Sequence, residues 1–331
     1  MKKFKLEDHA SYHNWFGVPV IFAPIWLIGI NTIVATFIAF LDEWHFLFEL
    51  ATHFRLQYFF SAIFCGIIFF FNRKVVALLV MLVVAGVNGI YIVPWYFSDA
   101  DATAQIAEQK IPQPLKVISA NVLSSNTEHE KLLSLIELES PDLIALMEVN
   151  QAWTESLSVL KPAYPYQKEV PREDNFGIAV YSRFPLSELE VKDFGGSFLP
   201  SIEGKVIVNE KPITVVATHP LPPISPMYYQ RRNDQINAVA TYMAGIDGPK
   251  ILMGDFNVTM WSKDYQPLVS GTGLRNASQG FGIAMSWPIQ IPLLMIPIDH
   301  CFVSDDIQVA EMKTAGSIGA DHLPLVVTLE I

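Results

Sequence analysis

The chain has 331 residues, of which 51% are hydrophobic, and its net charge is −11. Residues 1–97 carry six Lys or Arg and five Asp or Glu, so the net charge of the remaining chain is −12. Because binding of long nucleic acids by bulk charge needs clustered Lys and Arg, this composition argues against such affinity. The two cysteines are far apart in sequence and predict neither a disulfide nor a CxxC metal site.

The first 97 residues are predicted to form a membrane anchor. Three apolar runs, at 16–41, 56–71 and 75–97, are interpreted as transmembrane helices, although the middle run is short for a hydrocarbon core of ~30 Å. Residues 42–54 mix charges with aromatic side chains and are interpreted as lying along the membrane surface. A cleaved signal peptide is the alternative, but the first run is too long for one and two further runs follow it.

The basic residues of this region predict its orientation. Five of them fall on one side of the three predicted spans: Lys2, Lys3, Lys5, Arg73 and Lys74. Only Arg55 falls on the other side. The positive-inside rule places the larger group in the cytoplasm. We therefore expect a multi-pass protein of the cytoplasmic (inner) membrane whose C-terminal domain faces the periplasm or the exterior.

Residues 98–112 are polar and are predicted to be a linker, and residues 113–331 resemble an ordinary soluble domain. Strands are predicted at 115–122, 142–149, 176–182, 205–208, 213–218, 250–253, 299–304 and 323–329. Helices are predicted at 128–138, from about 153, and at 227–246. This intermixed order predicts an α/β fold in which two sheets pack face to face with helices outside.

Eight polar residues lie at or close to the ends of the apolar segments that are predicted to be strands. They are Asn121, Glu148, His219, Asp255, Asn257, Asp299, Asp321 and His322. Taken singly, each fits a turn, a helix cap or a hydrogen-bonded loop residue. Taken together, they indicate a site assembled at the rim of the fold, because strand ends hold side chains rigidly there.

The residue types of this set predict its chemistry. Carboxylate and amide oxygens are the ligands that Mg²⁺ or Mn²⁺ prefers, whereas no HxH or HExxH spacing indicates zinc. Histidine titrates near neutral pH, so the two histidines are candidates for proton transfer and for phosphate contact.

A series of motifs in this domain resembles the endonuclease/exonuclease/phosphatase superfamily. The motifs are Ser119-Ala-Asn121, Met147-Glu148, Gly177 to Arg183, Thr218-His219-Pro220, Gly254-Asp-Phe-Asn257, Ile298-Asp299-His300 and Gly319-Ala-Asp321-His322. The resemblance covers residues 113–331 and implies a four-layer αββα sandwich of two mixed sheets with outer helices. The three-span start and the MSWP sequence at 285–288 are similar to the membrane-anchored bacterial branch of this family.

The resemblance implies a metal site and an adjoining group of catalytic residues. Asn121 and Glu148 would hold the metal, Mg²⁺ or Mn²⁺, with Asp321 near it. Leu123 stands where several nucleases of the family place a further acid, which weakens a two-metal interpretation. His300 is interpreted as structural.

The implied reaction is in-line hydrolysis of a phosphate ester. Asp255 and Asn257 would orient the attacking water and the phosphate, and His219 would contact a phosphate oxygen. Asp299 would fix the tautomer of His322, whose other ring nitrogen would accept a proton from water.

Substrate contacts are less well indicated. Arg231 and Arg232 begin the helix after the His219 loop and are candidate substrate-binding residues; a solvated helix face is the alternative. The loops at 221–229 and 281–297 are apolar and rich in proline, and are interpreted as packed loops in preference to membrane-contacting ones.

We therefore expect a metal-dependent phosphoesterase that acts on small or lipid-borne phosphate esters at the outer face of the cytoplasmic membrane. Its partners would be the phosphate-ester substrate and the lipid bilayer, and the sequence gives no indication of oligomeric state. An extracytoplasmic Mg²⁺-dependent nuclease is one alternative. A non-catalytic membrane receptor that keeps the fold is another.

Overall fold

The computed structural model describes residues 23–97 and 114–331. The predicted linker and the beginning of the first predicted span lie outside these residues. The described helices are α1 (Ala23–Ile38), α2 (Phe46–Thr52), α3 (Arg55–Phe71), α4 (Val75–Ile92), α5 (His129–Glu139), α6 (Gln151–Leu157) and α7 (Pro226–Ala244).

Twelve strands form two six-stranded sheets within the described part of the chain. They are β1 (Pro114–Asn121), β2 (Leu143–Met147), β3 (Tyr166–Val170), β4 (Ile178–Ser182), β5 (Leu186–Asp193), β6 (Pro200–Val208), β7 (Lys211–Thr218), β8 (Lys250–Asp255), β9 (Leu274–Asn276), β10 (Asp299–Ser304), β11 (Gln308–Thr314) and β12 (Leu325–Glu330). The first sheet has the order β11-β12-β1-β2-β4-β3, and the second has the order β5-β6-β7-β8-β10-β9. Both are mixed, because β1 and β2 are parallel, as are β7 and β8, while the other pairs are antiparallel.

Burial on both faces of each sheet explains the apolar runs of the central strands. Side chains such as Val117, Val215 and Val303 fill the space between the sheets. The other face of the first sheet is covered by α5 and α6, which bury Trp153. The other face of the second sheet is covered by α7. The predicted α/β sandwich of two packed mixed sheets with flanking helices is confirmed.

The N-terminal helices form three apolar segments, as expected, but their lengths differ. Among the described residues, Val75–Tyr96 is the one helical stretch that is by itself long and apolar enough to cross a membrane. Helices α2 and α3 would qualify only as a pair, and they are bent by 62°. Helix α1 is a shorter apolar helix of 16 residues.

The prediction that residues 42–54 lie along the membrane surface is not what the structure shows for α2. Glu49 and His53 are buried, and His53 Nδ1 lies 3.0 Å from the hydroxyl of Thr259 in the sandwich. Farther along, the indole of Trp261 donates a hydrogen bond to the carbonyl of Tyr91 at 3.0 Å. Because these groups find their partners in the sandwich, α2 and the end of α4 pack against it.

Strands β7 and β8 approach each other too closely at Gly254 for any side chain. Gly254 lies opposite Thr218 in the parallel register. A Cβ atom at Gly254 would lie 1.9 Å from the carbonyl oxygen of Thr218, and φ of Gly254 is +154°. Only glycine accommodates both conditions. The residues that follow these two positions, His219 and Asp255, are thereby held side by side.

We expect Gly254→Ala to lower the free energy of unfolding by about 3 kcal/mol, because the added methyl group forces β7 and β8 apart. The matched control is Gly316→Ala, since a Cβ there meets no atom within 4 Å. The control should change stability by less than about 0.5 kcal/mol. Denaturant titration of the detergent-solubilised protein measures both, and equal stability of the two variants would contradict the close-approach explanation.

Candidate active site

The strand register brings the predicted site residues together in pairs. In the first sheet, Asn121 lies opposite Met147, so Glu148 follows directly beside Asn121. In the second sheet, Asp255 lies opposite Asp299 on the antiparallel neighbour β10. Because the ends of central strands meet at one edge of the sandwich, residues separated by more than a hundred positions become neighbours.

Asp255 is the centre of this arrangement. Its Oδ2 atom accepts a hydrogen bond from the amide of Asn121 at 3.1 Å, which joins the two sheets. The same oxygen lies 3.5 Å from Nε2 of His219 and 3.6 Å from Nε2 of His322. Its Oδ1 atom accepts a hydrogen bond from the backbone N–H of Asn257 at 3.0 Å. Four predicted site residues therefore converge on one buried carboxylate.

Two site residues adopt backbone conformations that are unfavourable for most side chains. Glu148 has φ of +63° and Asn257 has φ of +52°. Asparagine tolerates this left-handed region, but glutamate does so rarely. The backbone N–H of Ser124 donates to Glu148 Oε2 at 3.3 Å, and the Ser124 hydroxyl donates to the Glu148 carbonyl at 3.0 Å. Such strain, held in place by neighbouring hydrogen bonds, is typical of functional sites.

Asp299 and His322 form the expected hydrogen-bonded pair. Asp299 Oδ2 lies 2.7 Å from His322 Nδ1, so that nitrogen carries a proton and Nε2 faces Asp255. Burial opposes the charged ring, but the Asp299 and Asp255 carboxylates outweigh it and raise the pKa of His322 to about 10. Burial also raises the pKa of Asp299. Since imidazole is the stronger base of the two, the proton resides on His322.

Asp255 remains ionised beside these rings. Burial opposes its ionisation, yet attraction to His322 and His219 lowers the pKa of Asp255 to about 2. Burial likewise opposes charge on His219, but the Asp255 contact raises the pKa of His219. The role of His322 as proton acceptor stays a prediction, since Nε2 can accept a proton only when the ring is neutral. A protonated ring donates hydrogen bonds, whereas the ionised Asp255 accepts them.

Asp321 belongs to the site through residues that the sequence patterns did not indicate. The indole N–H of Trp287 donates to Asp321 Oδ2 at 2.9 Å, and the Trp287 ring lies 6.2 Å from that of His322. On the other side, Phe176 packs against the ring of His219 with centroids 5.3 Å apart. Trp287 falls within the MSWP sequence, whose family resemblance was the only indication that this segment matters and assigned no role to Trp287.

The family is established by a match to a model of the Endonuclease/Exonuclease/phosphatase family over residues 118–322. The match spans more than half of the chain and includes every strand-end residue of the site. The chain belongs to this family. No curated protein matches the chain.

Solved structures share the fold at low sequence identity. D. rerio TDP2 complexed with a single-strand DNA product is 18% identical, with a TM-score of 0.57 over 66% of this chain and 100% of that chain. The endonuclease/exonuclease/phosphatase from Beutenbergia cavernae DSM 12333 is 17% identical, with a TM-score of 0.53 over 66% of this chain and 72% of that chain. The family protein from Bacteroides thetaiotaomicron is 19% identical, with a TM-score of 0.54 over 66% of this chain and 98% of that chain.

Enzymes of this family generally use divalent metal ions, and the residues of this site fit one. Glu148, Asp255, Asp299 and Asp321 bring four carboxylates to one edge of the sandwich. Within the described ranges, no Lys or Arg side chain lies within 4.0 Å of any of them, so histidines are their only ion-pairing partners. Asp321 Oδ1 is buried and has no hydrogen-bond partner there. Surplus buried carboxylate oxygens are the donor set that a hard divalent cation prefers.

Two groups of side-chain atoms are candidate metal sites. Oxygen and nitrogen atoms of Asp255, Asp299 and His322 lie within 4.8 Å of one another. A cation there would displace the Asp299–His322 hydrogen bond, so we favour the oxygen-rich side with Glu148 and Asp321. The amide nitrogen of Asn121 faces Glu148 Oε1 at 3.0 Å, while its oxygen accepts from the backbone of Leu123. In this arrangement Asn121 orients carboxylates, and a ligand role requires its amide to turn over.

The predicted substrate-binding role of Arg232 is wrong, because its side chain is fully buried. Its Nη1 donates to the backbone carbonyl of Asn257 at 2.9 Å. Its Nη2 lies 3.1 Å from Asp264 and 3.3 Å from Glu49 of α2. Arg232 therefore connects the N-terminal helices to the loop that carries Asn257. Arg231 is exposed on the same helix, and its predicted substrate contact stays a prediction.

His300 has the structural role that was expected. Its Nε2 lies 2.8 Å from the carbonyl of Val258, and its Nδ1 lies 3.0 Å from the amide nitrogen of Asn276. The Asn276 amide donates, so Nδ1 must be an acceptor and the ring must be neutral. Burial lowers the pKa of His300 to about 4.

We expect Arg232→Met to lower the free energy of unfolding by about 3 kcal/mol, because it removes the buried ion pairs of Arg232 with Glu49 and Asp264 and leaves His53 as the remaining partner of Glu49. Combining it with Glu49→Gln should recover part of that loss. Arg231→Met, a change of the same kind at the exposed neighbour, should stay within about 0.5 kcal/mol of wild type. Denaturant unfolding measures all three variants, and a neutral Arg232→Met would contradict the proposed connection.

We expect His300 to make stability depend on pH. Its pKa is depressed from 6.5 in the unfolded chain to about 4 in the fold, so its contribution is complete above pH 6.5 and is lost as the pH falls toward 4. The loss amounts to about 3 kcal/mol at 1.36 kcal/mol per pH unit. Between pH 7 and pH 4, the free energy of unfolding should fall by about 3 kcal/mol more for wild type than for His300→Gln. Parallel pH profiles of the two proteins would exclude this contribution of His300.

Proposed function

We propose that this family member is a membrane-anchored, metal-dependent phosphoric ester hydrolase that acts on small or lipid-borne phosphate esters. The observation that carries the proposal is the buried Asp255 carboxylate between two histidines, with Asp299 behind one of them. This arrangement combines an ionised acceptor with two N–H donors in one place. Such a combination suits hydrolysis, in which water must lose a proton while negative charge is stabilised.

The two histidines bind the phosphoryl group. Nε2 of His322 and Nε2 of His219 both point at the space beside Asp255 Oδ2. Ring N–H groups in that position would donate to phosphate oxygens and offset the charge that develops on them. Asp299 holds His322 in one orientation, so the ring loses little freedom when the substrate binds.

Asp255 and Asn257 position the attacking water. Asp255 is ionised, and its Oδ1 is fixed by the backbone of Asn257. The side-chain amide nitrogen of Asn257 donates to the carbonyl of Pro220 at 3.0 Å, which leaves its oxygen available as an acceptor. A divalent cation held by Glu148 and Asp321, and by Asn121 once its amide is turned over, would add positive charge against the phosphoryl oxygens.

The membrane location is also a proposal. It is supported by Val75–Tyr96, by the bent pair α2–α3 and by the concentration of exposed large apolar side chains on α1, α3 and α4. Such a surface is unusual for a soluble protein and suits a bilayer. With the distribution of basic residues, it supports a multi-pass anchor of the membrane-anchored bacterial branch, with the catalytic domain outside the cytoplasm.

A nuclease is the second candidate, because the structurally similar D. rerio TDP2 was crystallised with a single-strand DNA product. The net charge of −12 beyond residue 97 and the burial of Arg232 weigh against it here, since both reduce the positive charge available to a polyphosphate. A non-catalytic receptor is disfavoured because every predicted catalytic group is present.

We expect purified full-length protein to hydrolyse bis(p-nitrophenyl) phosphate with Mg²⁺ or Mn²⁺ and to lose that activity with EDTA. Asp255→Asn and His322→Asn should each lower kcat by about a thousandfold or more, because each removes a charge that acts on the reacting phosphate. Asp247→Asn makes the same chemical change at an exposed position and should retain wild-type activity. Unfolding curves confirm that the variants are folded.

The same preparations, assayed with plasmid DNA and with a lipid-linked phosphodiester, separate the two candidates. Preferential cleavage of DNA would favour the nuclease. A wild-type protein that binds a phosphate ester tightly but cleaves none would favour the receptor.

A further inference from the structure

Two segments that adjoin the active site carry no Asp, Glu, Lys or Arg. They are residues 212–230 and 276–298. In a domain of strongly negative charge, these are the stretches that can approach an anionic or neutral surface without electrostatic repulsion. Each contains several prolines, which limit the conformations of the loop.

The tips of these segments expose large apolar side chains. We call the five together the apolar rim: Ile224, Met227, Ile291, Leu293 and Leu294. The exposed fraction is 76% for Ile224 and 84% for Leu293. The interpretation of these loops as packed is therefore wrong at their tips, since a packed loop would bury such residues. Exposed apolar residues gathered on neutral loops indicate an interaction surface.

Both loops of the apolar rim adjoin residues of the active site. The first follows His219 and Pro220, and the carbonyl of Pro220 accepts the hydrogen bond from Asn257. The second contains Trp287, which donates to Asp321 Oδ2. Ile289 in the same loop donates its backbone N–H to the carbonyl of Asp321 at 3.1 Å. Whatever contacts the rim therefore lies next to the mouth of the active site.

Both loops also contact the N-terminal helices. The ring of Tyr229, the last residue of the first loop, lies 6.2 Å from that of Phe46 at the start of α2. The side-chain amide of Gln57, in the first turn of α3, donates to the carbonyl of Met295 in the second loop at 2.6 Å. On the helix side, Trp44 is also exposed, two positions before Phe46.

We propose that the apolar rim docks on the bilayer in which the anchor sits, and that the active site takes a phosphate ester carried on a lipid. This inference rests on the proposed function and narrows its substrate class. The bilayer is the occupant that the geometry favours, because both loops of the rim contact the N-terminal helices α2 and α3, which together are apolar enough to cross a membrane. Apolar side chains of an interfacial surface enter the boundary between headgroups and acyl chains, which is where a lipid phosphate lies.

A labelling experiment tests the docking without any assay of activity. The native Cys65 and Cys301 are both buried, so a cysteine introduced at the surface can be labelled selectively. Leu293→Cys and, as a matched control, Leu138→Cys are labelled with the environment-sensitive fluorophore NBD. Leu138 is also highly exposed, at 79%, but it lies on α5 in the opposite outer layer. Both variants are reconstituted as full chains in phosphatidylcholine–phosphatidylglycerol nanodiscs.

The emission of the label at position 293 should shift to shorter wavelength and be quenched by lipids that carry a spin label in the acyl chain. The label at position 138 should behave as in water. If the two labels behave alike, the docking is overturned. A label at position 293 that is shielded but not quenched by spin-labelled lipid would also overturn it, because the rim would then be covered by protein.

A second experiment tests the substrate class. The double variant Ile224→Ser/Leu293→Ser is compared with wild type on p-nitrophenyl hexadecyl phosphate in the disc and on bis(p-nitrophenyl) phosphate in solution. We expect the ratio of lipid-borne to soluble hydrolysis to fall about tenfold, and Leu138→Ser to leave this ratio unchanged. An unchanged ratio in the double variant would overturn the substrate inference. Failure of wild type on both esters would instead overturn the proposed function and leave the labelling result independent.

Discussion

The site depends on keeping one carboxylate, that of Asp255, ionised in the interior of the sandwich. Only 2% of Asp255 is exposed, and an isolated charge at that depth would be strongly unfavourable. Its partners come from both sheets: Asn121 from the end of β1, His219 from the end of β7 and His322 from the loop before β12. The charge is therefore stable only when both sheets are packed and in register. The site therefore forms only when the sandwich itself is folded.

The N-terminal helices belong to the same arrangement. Leu56, Phe59, Tyr91 and Trp95 pack into the cluster on the outer face of the second sheet, beside Phe256 of the GDFN motif. Within that face, Arg232 spans from Glu49 on α2 to the backbone of Asn257. Buried ion pairs contribute little net stability when intact but are costly to break, which makes them effective at fixing one relative position. The N-terminal helices thus help to hold a loop of the active site.

The sequence predicted the strands correctly in those segments where burial determines the residue types. Strands at the centre of each sheet are buried on both faces, so they read as continuous apolar runs that stop abruptly at a polar residue. That stop located Asn121, Glu148 and Asp255. The four strands that were not predicted, β3, β5, β9 and β11, are the four edge strands of the two sheets. Edge strands are half exposed and carry charges, so their pattern is hard to distinguish from that of a loop.

Contacts between distant parts of the chain could not be predicted. Arg232 looked like a surface cation because nothing in its own helix shows that Glu49, 183 positions earlier, lies against it. The support of Glu148 by Ser124 and of Asp321 by Trp287 also depends on where loops fold back. Single-sequence patterns report the burial of a segment, whereas the partner of a buried polar group is a property of the tertiary structure. The orienting roles of Ser124 and Trp287 therefore came only from the structure, whereas that of Asp299 was implied by the family resemblance.

The position of the active site, at an edge of the sandwich near the N-terminal helices, affects how a substrate reaches it. Because α2 and the first turn of α3 touch the loops beside the site, the edge that carries Asp255 is held near the end of the N-terminal helices. In the proposed membrane-anchored arrangement, a soluble ester would reach this edge by diffusion in three dimensions, whereas an ester in the same membrane would arrive by diffusion in two. Confinement to a shared surface raises the effective concentration of a partner without any new contact. In such an arrangement the anchor contributes to substrate choice, and the catalytic residues need to recognise little more than the phosphate.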